Sequence, residues 1–119
     1  MGWNDIGYQS TDLFECTPFI DALAAGGVKL VNYYVQQSCT PTRAALLTGK
    51  YAMHIGMQHD VIWADQPWGL PTSEMILPQY LKAAANYATH IVGKWHLGHF
   101  TSAHLPLSRG FDTFFGFYS

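Results

Sequence analysis

Thr89-His90-Ile91-Val92-Gly93-Lys94-Trp95-His96-Leu97-Gly98 is the stretch from which the fold of this chain is read. Its first four residues suit a short buried strand, and the two glycines bound a loop that carries a lysine and a histidine away from the strand's carboxyl end. Upstream, a helix is predicted from about Met75 to Ala85, with Pro78 in its first turn, where a missing backbone N–H does no harm. Asn86 is placed to stop it in the left-handed conformation. Residues 54–72, with Gly56, Pro67, Gly69 and Pro71, read as a loop. Before it, Thr40-Pro41 resembles a helix start, Ala44, Ala45, Leu46 and Leu47 favour helix, and Gly49 closes the stretch, so Cys39 falls at a helix N-terminus. Val28 to Val35 alternates imperfectly but is rich in β-branched and aromatic residues, which predicts a strand leading up to Cys39. Thr17-Pro18 opens an earlier short helix with Phe19, Ile20, Leu23 and Ala24 on its apolar face and Gly26-Gly27 at its end. This alternation predicts an α/β layer architecture with a largely parallel sheet. Ligands of such sheets gather outside the carboxyl ends of the strands, where Cys39 and the Lys94/His96 pair are both expected.

A length of 119 residues with 49% hydrophobic and 15% aromatic content predicts one globular domain over residues 1–119. Charged residues make up only 12% and the formal net charge is -2, which excludes a basic phosphate-neutralising face and with it nucleic acid as a partner. No apolar run approaches the roughly 20 residues that cross a bilayer. Met1-Gly2-Trp3-Asn4-Asp5 lacks the basic and apolar regions of a signal peptide, so no targeting signal is readable in this chain. Cys16 and Cys39 are too few for a zinc module or a disulfide framework. Cys16 reads as a small buried residue, and a disulfide between the two stays open.

Cys39-Thr40-Pro41-Thr42-Arg43 is the first constellation with chemistry in it. Unpaired N–H groups and the positive dipole end at a helix N-terminus favour an anion and a deprotonated nucleophile beside Cys39. Arg43, one turn on, brings a permanent charge and a rigid donor fork. A structural cysteine beside a surface arginine is the plainer alternative. A cysteine phosphatase is disfavoured, because Thr40-Pro41-Thr42 is too short a loop to cradle phosphate. Lys94 and His96 form the second constellation: a cation suited to stabilising developing charge and an imidazole suited to proton transfer. Their plainer alternative is a solvated loop charge and a turn residue. The His96/His99 spacing has no neighbouring cysteine or carboxylate to make it a zinc site. Trp3, Trp63, Trp68 and Trp95 read as packing residues.

Cys39-Thr40-Pro41-Thr42-Arg43 with Thr48-Gly49, Gly93-Lys94-Trp95-His96-Leu97-Gly98, and Arg109-Gly110-Phe111-Asp112 followed by Phe114-Phe115-Gly116 together resemble the signatures of the type I sulfatases, in the family's order. Gln58-His59, Ile62-Trp63, Gln66-Pro67 and Leu77-Pro78-Gln79 make the resemblance closest to arylsulfatase B (N-acetylgalactosamine 4-sulfatase)-like members. It implies an alkaline-phosphatase-like α/β fold and formylglycine-dependent hydrolysis of sulfate esters of sulfated galactosamine glycans or small molecules. Cys39 is then the residue oxidised to formylglycine by a formylglycine-generating enzyme, and as formylglycine also a calcium ligand. Arg43 holds the diol or a neighbouring carboxylate, Lys94 binds both sulfate and diol, and His96 bonds the diol and helps collapse the sulfated intermediate. The resemblance makes Cys16 a candidate disulfide partner, and it implies the lysosome or secretory route for a full-length parent. Relatives carry cysteines near positions 65, 69 and 104, where this chain has Asp65, Gly69 and His104, so disulfide locking of that loop is expected to be lost. The resemblance also marks the chain as an N-terminal fragment, with the strand ending in a calcium-binding aspartate pair expected before Met1 and further site residues expected after Ser119. Asp5 and Asp12 are read as turn or cap residues, not as substitutes for that pair. The alternative is a sulfatase fragment with no catalysis of its own that at most binds another protein; a phosphatase or phosphomutase of the same superfamily would need serine or threonine at position 39.

Overall fold

A computed structural model describes residues 2–119 and divides the chain into two compact units, one running up to Tyr34 and one over Val35–Ser119. In the first, Thr17 precedes helix α1, Pro18–Gly26, whose proline sits where the chain supplies no intrahelical N–H bond. A 3-10 turn at Gly7–Gln9 docks on the start of α1: the Gly7 N–H donates to Thr17 Oγ1 at 2.8 Å and the Tyr8 N–H to Asp21 Oδ1 at 3.0 Å. The apolar side chains of α1 stay exposed, Phe19 at 90% and Leu23 at 78%. Cys16, expected to be buried, is exposed and a free thiol, as is Cys39.

The expected strand at Val28 to Val35 is not formed. A strand exists through the ladder it shares with a neighbour, and among the described residues no strand lies beside this segment. Its β-favouring side chains are therefore exposed, Val28 at 90% and Tyr34 at 88%.

In the second unit, helix α2 spans Cys39–Thr48 and ends at Gly49, whose φ of 68° closes it with an N–H bond to Ala45 O. Pro41 lies within its first turn, where N–H groups have no intrahelical acceptor. Helix α3 spans Leu77–Ala85. The Ile76 N–H donates to Gln79 Oε1 at 2.9 Å, and Asn86 ends the helix at φ 52°, as its sequence predicts. Strand β1, His90–Lys94, pairs in parallel with β2, Thr113–Phe117, in the register His90↔Thr113 to Lys94↔Phe117. Ile91 and Phe114, paired across the ladder, pack on the core, while their neighbours Val92 and Phe115 are 80% and 79% exposed. The strand expected at Thr89 to Val92 thus exists but is not buried as expected, because nothing among the described residues covers that face.

Residues 95–112 connect β1 to β2 through 3-10 turns at Ser102–His104 and Pro106–Arg109 in place of a crossover helix. The core lies beneath α2: Ala44 from the helix, Ile55 from a 3-10 turn at Ala52–Ile55, Met57, Ile62 and Leu70 from the loop that follows, Ile76 just before α3, and Trp95 and Leu97 after β1. Trp95 is 1% exposed, and its indole N–H is shared between the carbonyls of Gly98 and His104, each at 3.0 Å. Trp68 packs against this core, but Trp3 and Trp63 are exposed and not packing residues as expected. Loop 68–70 crosses loop 97–98 backbone to backbone. The Leu70 N–H donates to Leu97 O at 2.9 Å, and a Cβ on Gly98 would lie 2.7 Å from Gly69 Cα.

Candidate active site

Cys39 is the first residue of α2, exposed at the helix N-terminus with Ser38 before it in extended conformation. It lines an opening of about 340 Å³ together with Gln36, Gln37, Ser38, Thr42 and Arg43. The helix is joined to the segment after β1 at two points. Thr40 Oγ1 donates to His96 O at 3.0 Å, and Arg43 Nη1 donates a short bond to Lys94 O. These bonds link residues 56 and 51 positions apart and bring the two sequence constellations into one place.

Arg43 also borders a second opening, shared with Leu46, Ile91, Val92, Lys94 and Trp95. Lys94 is half-buried, with Nζ 5.8 Å from the centroid of the Phe117 ring, its ladder partner. His96 lies deeper, 7% exposed, and adopts φ 56°, a left-handed conformation uncommon for a residue with a side chain. Its Nε2 is 2.9 Å from Ile62 O, and its Nδ1 is buried with no hydrogen-bond partner among the described residues. Burial foremost, and then the charges of Lys94 and Arg43, hold its pKa below the ordinary histidine value and favour the neutral ring.

The site residues chosen from sequence therefore divide by depth. Cys39 and Arg43 share an open mouth, Lys94 stands at the adjoining one, and His96 sits behind them. Two residues that sequence reasoning passed over hold this arrangement. Thr40, read as part of a helix start and of the Cys39–Arg43 segment but given no role of its own, is 0% exposed, and Ile62, read only within the Ile62-Trp63 pair, is 1% exposed. No local pattern marks either, because their partners are distant in the chain.

An exposed thiol at an open mouth suits modification to formylglycine, and the unpartnered Nδ1 of His96 is a polar atom waiting for a ligand. Calcium fares differently, since it takes roughly six to eight oxygen ligands. Among the described residues no three His, Cys, Asp or Glu side chains converge on one point, and the Cys39 thiol is a soft donor. The described residues by themselves do not fit that ion.

The sulfatase family model matches residues 1–119. Mouse arylsulfatase J is 52% identical over 116 residues, which cover 98% of this chain and 19% of that relative. Human N-acetylgalactosamine-6-sulfatase is 42% identical over 124 residues, covering 98% of this chain and 23% of the relative. The crystal structure of Ps i-CgsB, solved also in complex with k-i-k-neocarrahexaose, matches with a TM-score of 0.88 at 36% identity, over 100% of this chain and 26% of that one. The chain spans 19% to 26% of the length of these relatives. The particular nearness to arylsulfatase B expected from the sequence is not what they single out. Its α/β elements are part of the alkaline-phosphatase-like sulfatase fold. With the sulfatase family model matched over residues 1–119, the chain belongs to the sulfatase family.

Proposed function

We propose that residues 1–119 are the nucleophile-bearing part of the catalytic domain of a sulfuric ester hydrolase, acting on sulfate esters of galactosamine-containing glycans in the lysosome or secretory route. The observation that supports this most is the double tie of α2 to the segment after β1, Thr40 to His96 O and Arg43 to Lys94 O, which sets Cys39 beside the Lys94/His96 loop. The names of the relatives support a sulfated hexosamine, and the sugar complex of Ps i-CgsB supports a glycan.

A formylglycine at position 39 would supply a hydrated aldehyde, one hydroxyl of which would lose its proton and displace the alcohol of the ester at sulfur, while deprotonation of the other would reform the aldehyde and release sulfate. The chain's own residues then have separate tasks. The α2 N-terminus offers unpaired N–H groups to the sulfate oxygens. Arg43, with Nη1 committed to Lys94 O, turns its other donors to the anion. Lys94 leaves the Phe117 ring to meet the negative charge that grows on the sulfate. His96, neutral through burial, takes a proton on its unpartnered Nδ1.

The test is co-expression with a formylglycine-generating enzyme and peptide mass spectrometry of both cysteines. Cys39 is expected to convert while Cys16 stays a thiol. An unmodified Cys39, under conditions that convert a known sulfatase, overturns the nucleophile assignment. In a full-length parent, Lys94→Ala is expected to lower turnover by about 10²- to 10³-fold, with His104→Ala near wild type. Equal losses in the two variants would show the site to be misplaced.

A further inference from the structure

Thr40, Ile62 and His96 close a ring of three hydrogen bonds at the base of the site. Thr40 Oγ1 donates to His96 O at 3.0 Å and accepts from the Ile62 N–H at 3.1 Å, while His96 Nε2 lies 2.9 Å from Ile62 O. All three residues are buried, at 0%, 1% and 7% exposure. A carbonyl oxygen has lone pairs only, so the contact at Nε2 requires that Nε2 carry the proton. In a neutral imidazole Nδ1 is then a bare lone pair, and it is this atom that is buried without a partner. The Ile62 peptide is thus held by Thr40 at its N–H while its carbonyl receives the imidazole. Thr40 also grips the main chain of His96 itself, at a residue whose left-handed φ of 56° fixes where the ring enters.

We propose that Thr40 is a positioning residue that, through the Ile62 peptide, locks His96 as the Nε2-protonated tautomer and so leaves Nδ1 as the nitrogen that accepts a proton during turnover. The last clause rests on the sulfatase reading given above; the lock itself rests on the three bonds. Replacing the hydroxyl removes the acceptor that holds the Ile62 N–H and the donor that holds His96 O. The Ile62 carbonyl is then free to turn, and the ring loses its reason to keep the proton on Nε2.

Nitrogen NMR of the chain labelled with ¹⁵N-histidine reads the tautomer directly, with His96 assigned by its loss in His96→Gln. At slightly alkaline pH the His96 pair is expected to show a protonated-type shift at Nε2 and an unprotonated-type shift at Nδ1. Thr40→Val is expected to move the tautomer ratio by about tenfold, the worth of one buried hydrogen bond, and Thr40→Ser to restore it. A wild-type ring protonated at Nδ1, or a folded Thr40→Val with an unchanged ratio, overturns the proposal. Should Thr40→Val not fold, the scalar coupling across the bond from His96 Nε2 to the Ile62 carbonyl carbon decides. It is expected in both wild type and Thr40→Ser, and its absence from the wild type overturns the lock. None of these readouts uses catalysis or conversion of Cys39. An unconverted Cys39 would therefore remove the proposed function and leave the lock standing, whereas the wrong tautomer would overturn the lock and the proton-accepting role of His96 Nδ1 and leave the Cys39 assignment standing.

Discussion

Arg109 shows at the scale of one residue how a charge can serve structure alone. It is 3% exposed and has no carboxylate in contact among the described residues. It donates instead to the carbonyls of Leu70 at 3.2 Å, Pro71 at 3.4 Å and Glu74 at 2.7 Å. Burial draws its pKa below the usual guanidinium value, which still leaves it charged. The clamp matters to the site because the Leu70 N–H in turn holds the carbonyl of Leu97, next to His96. Arg109→Met is expected to destabilise the chain by about 1–3 kcal/mol for each buried acceptor left unpaired. Arg109→Lys should recover only part of this, since an ammonium lacks the planar fork. Urea unfolding measures both, and a loss below about 0.5 kcal/mol, ordinary for a surface change, would contradict the clamp. Nothing local announces this role: Arg109 is legible as part of a family segment, but its three acceptors lie 35 to 39 positions away.

At the scale of elements, the entry to the sheet hangs on Asp112. Its carboxylate takes a short bond from Lys82 at the end of α3 and bonds from the Thr89 N–H at 2.8 Å and Thr89 Oγ1 at 3.2 Å. The Asp112 N–H returns a bond to Thr89 O at 2.7 Å, so the starts of β1 and β2 are tied immediately before the register begins. The Lys82 bond foremost, then those from Thr89, depress the Asp112 pKa from 3.8 to about 2. The unfolded chain binds this proton at higher pH than the folded one, so the contribution to stability is present above the unfolded value near 3.8 and is lost as pH falls toward about 2. Unfolding free energies measured at several pH values between these limits are expected to fall less steeply in Asp112→Asn than in wild type; parallel slopes would refute the linkage. Helices α2 and α3 and strand β1 were open to sequence reading because prolines, Gly49 and Asn86 act locally. Strand β2 was not, because Thr113-Phe114-Phe115-Gly116-Phe117 takes its form from β1. The same dependence undid the strand expected at Val28 to Val35, where β propensity had no ladder to join.

At the scale of the whole molecule, the two compact units meet in sequence at Tyr34 and Val35, inside a run of exposed residues without helix or strand. Limited chymotrypsin digestion is expected to cut first at Tyr33 or Tyr34, 55% and 88% exposed, and to leave a fragment beginning near Val35. Mass spectrometry identifies the cut, and first cleavage at the buried Trp95 or within the core would refute the division. Among the described residues no helix is long and apolar enough to cross a membrane. The sequence by itself determined what short-range chemistry controls: where helices start and stop, that a parallel α/β arrangement follows, and that Cys39, Arg43, Lys94 and His96 lie in segments that resemble one family's signatures. Caps, fixed proline φ and left-handed glycine or asparagine act over a few residues, so they can be read in order along the chain. Only the tertiary structure decided that Thr40 meets His96 O, that Arg43 meets Lys94 O, that His96 is buried with Nε2 on Ile62 O, and that Val92 and Phe115 face outward. Each of these depends on which distant backbone group packing brings within hydrogen-bond reach, and no propensity of the residue itself contains that information.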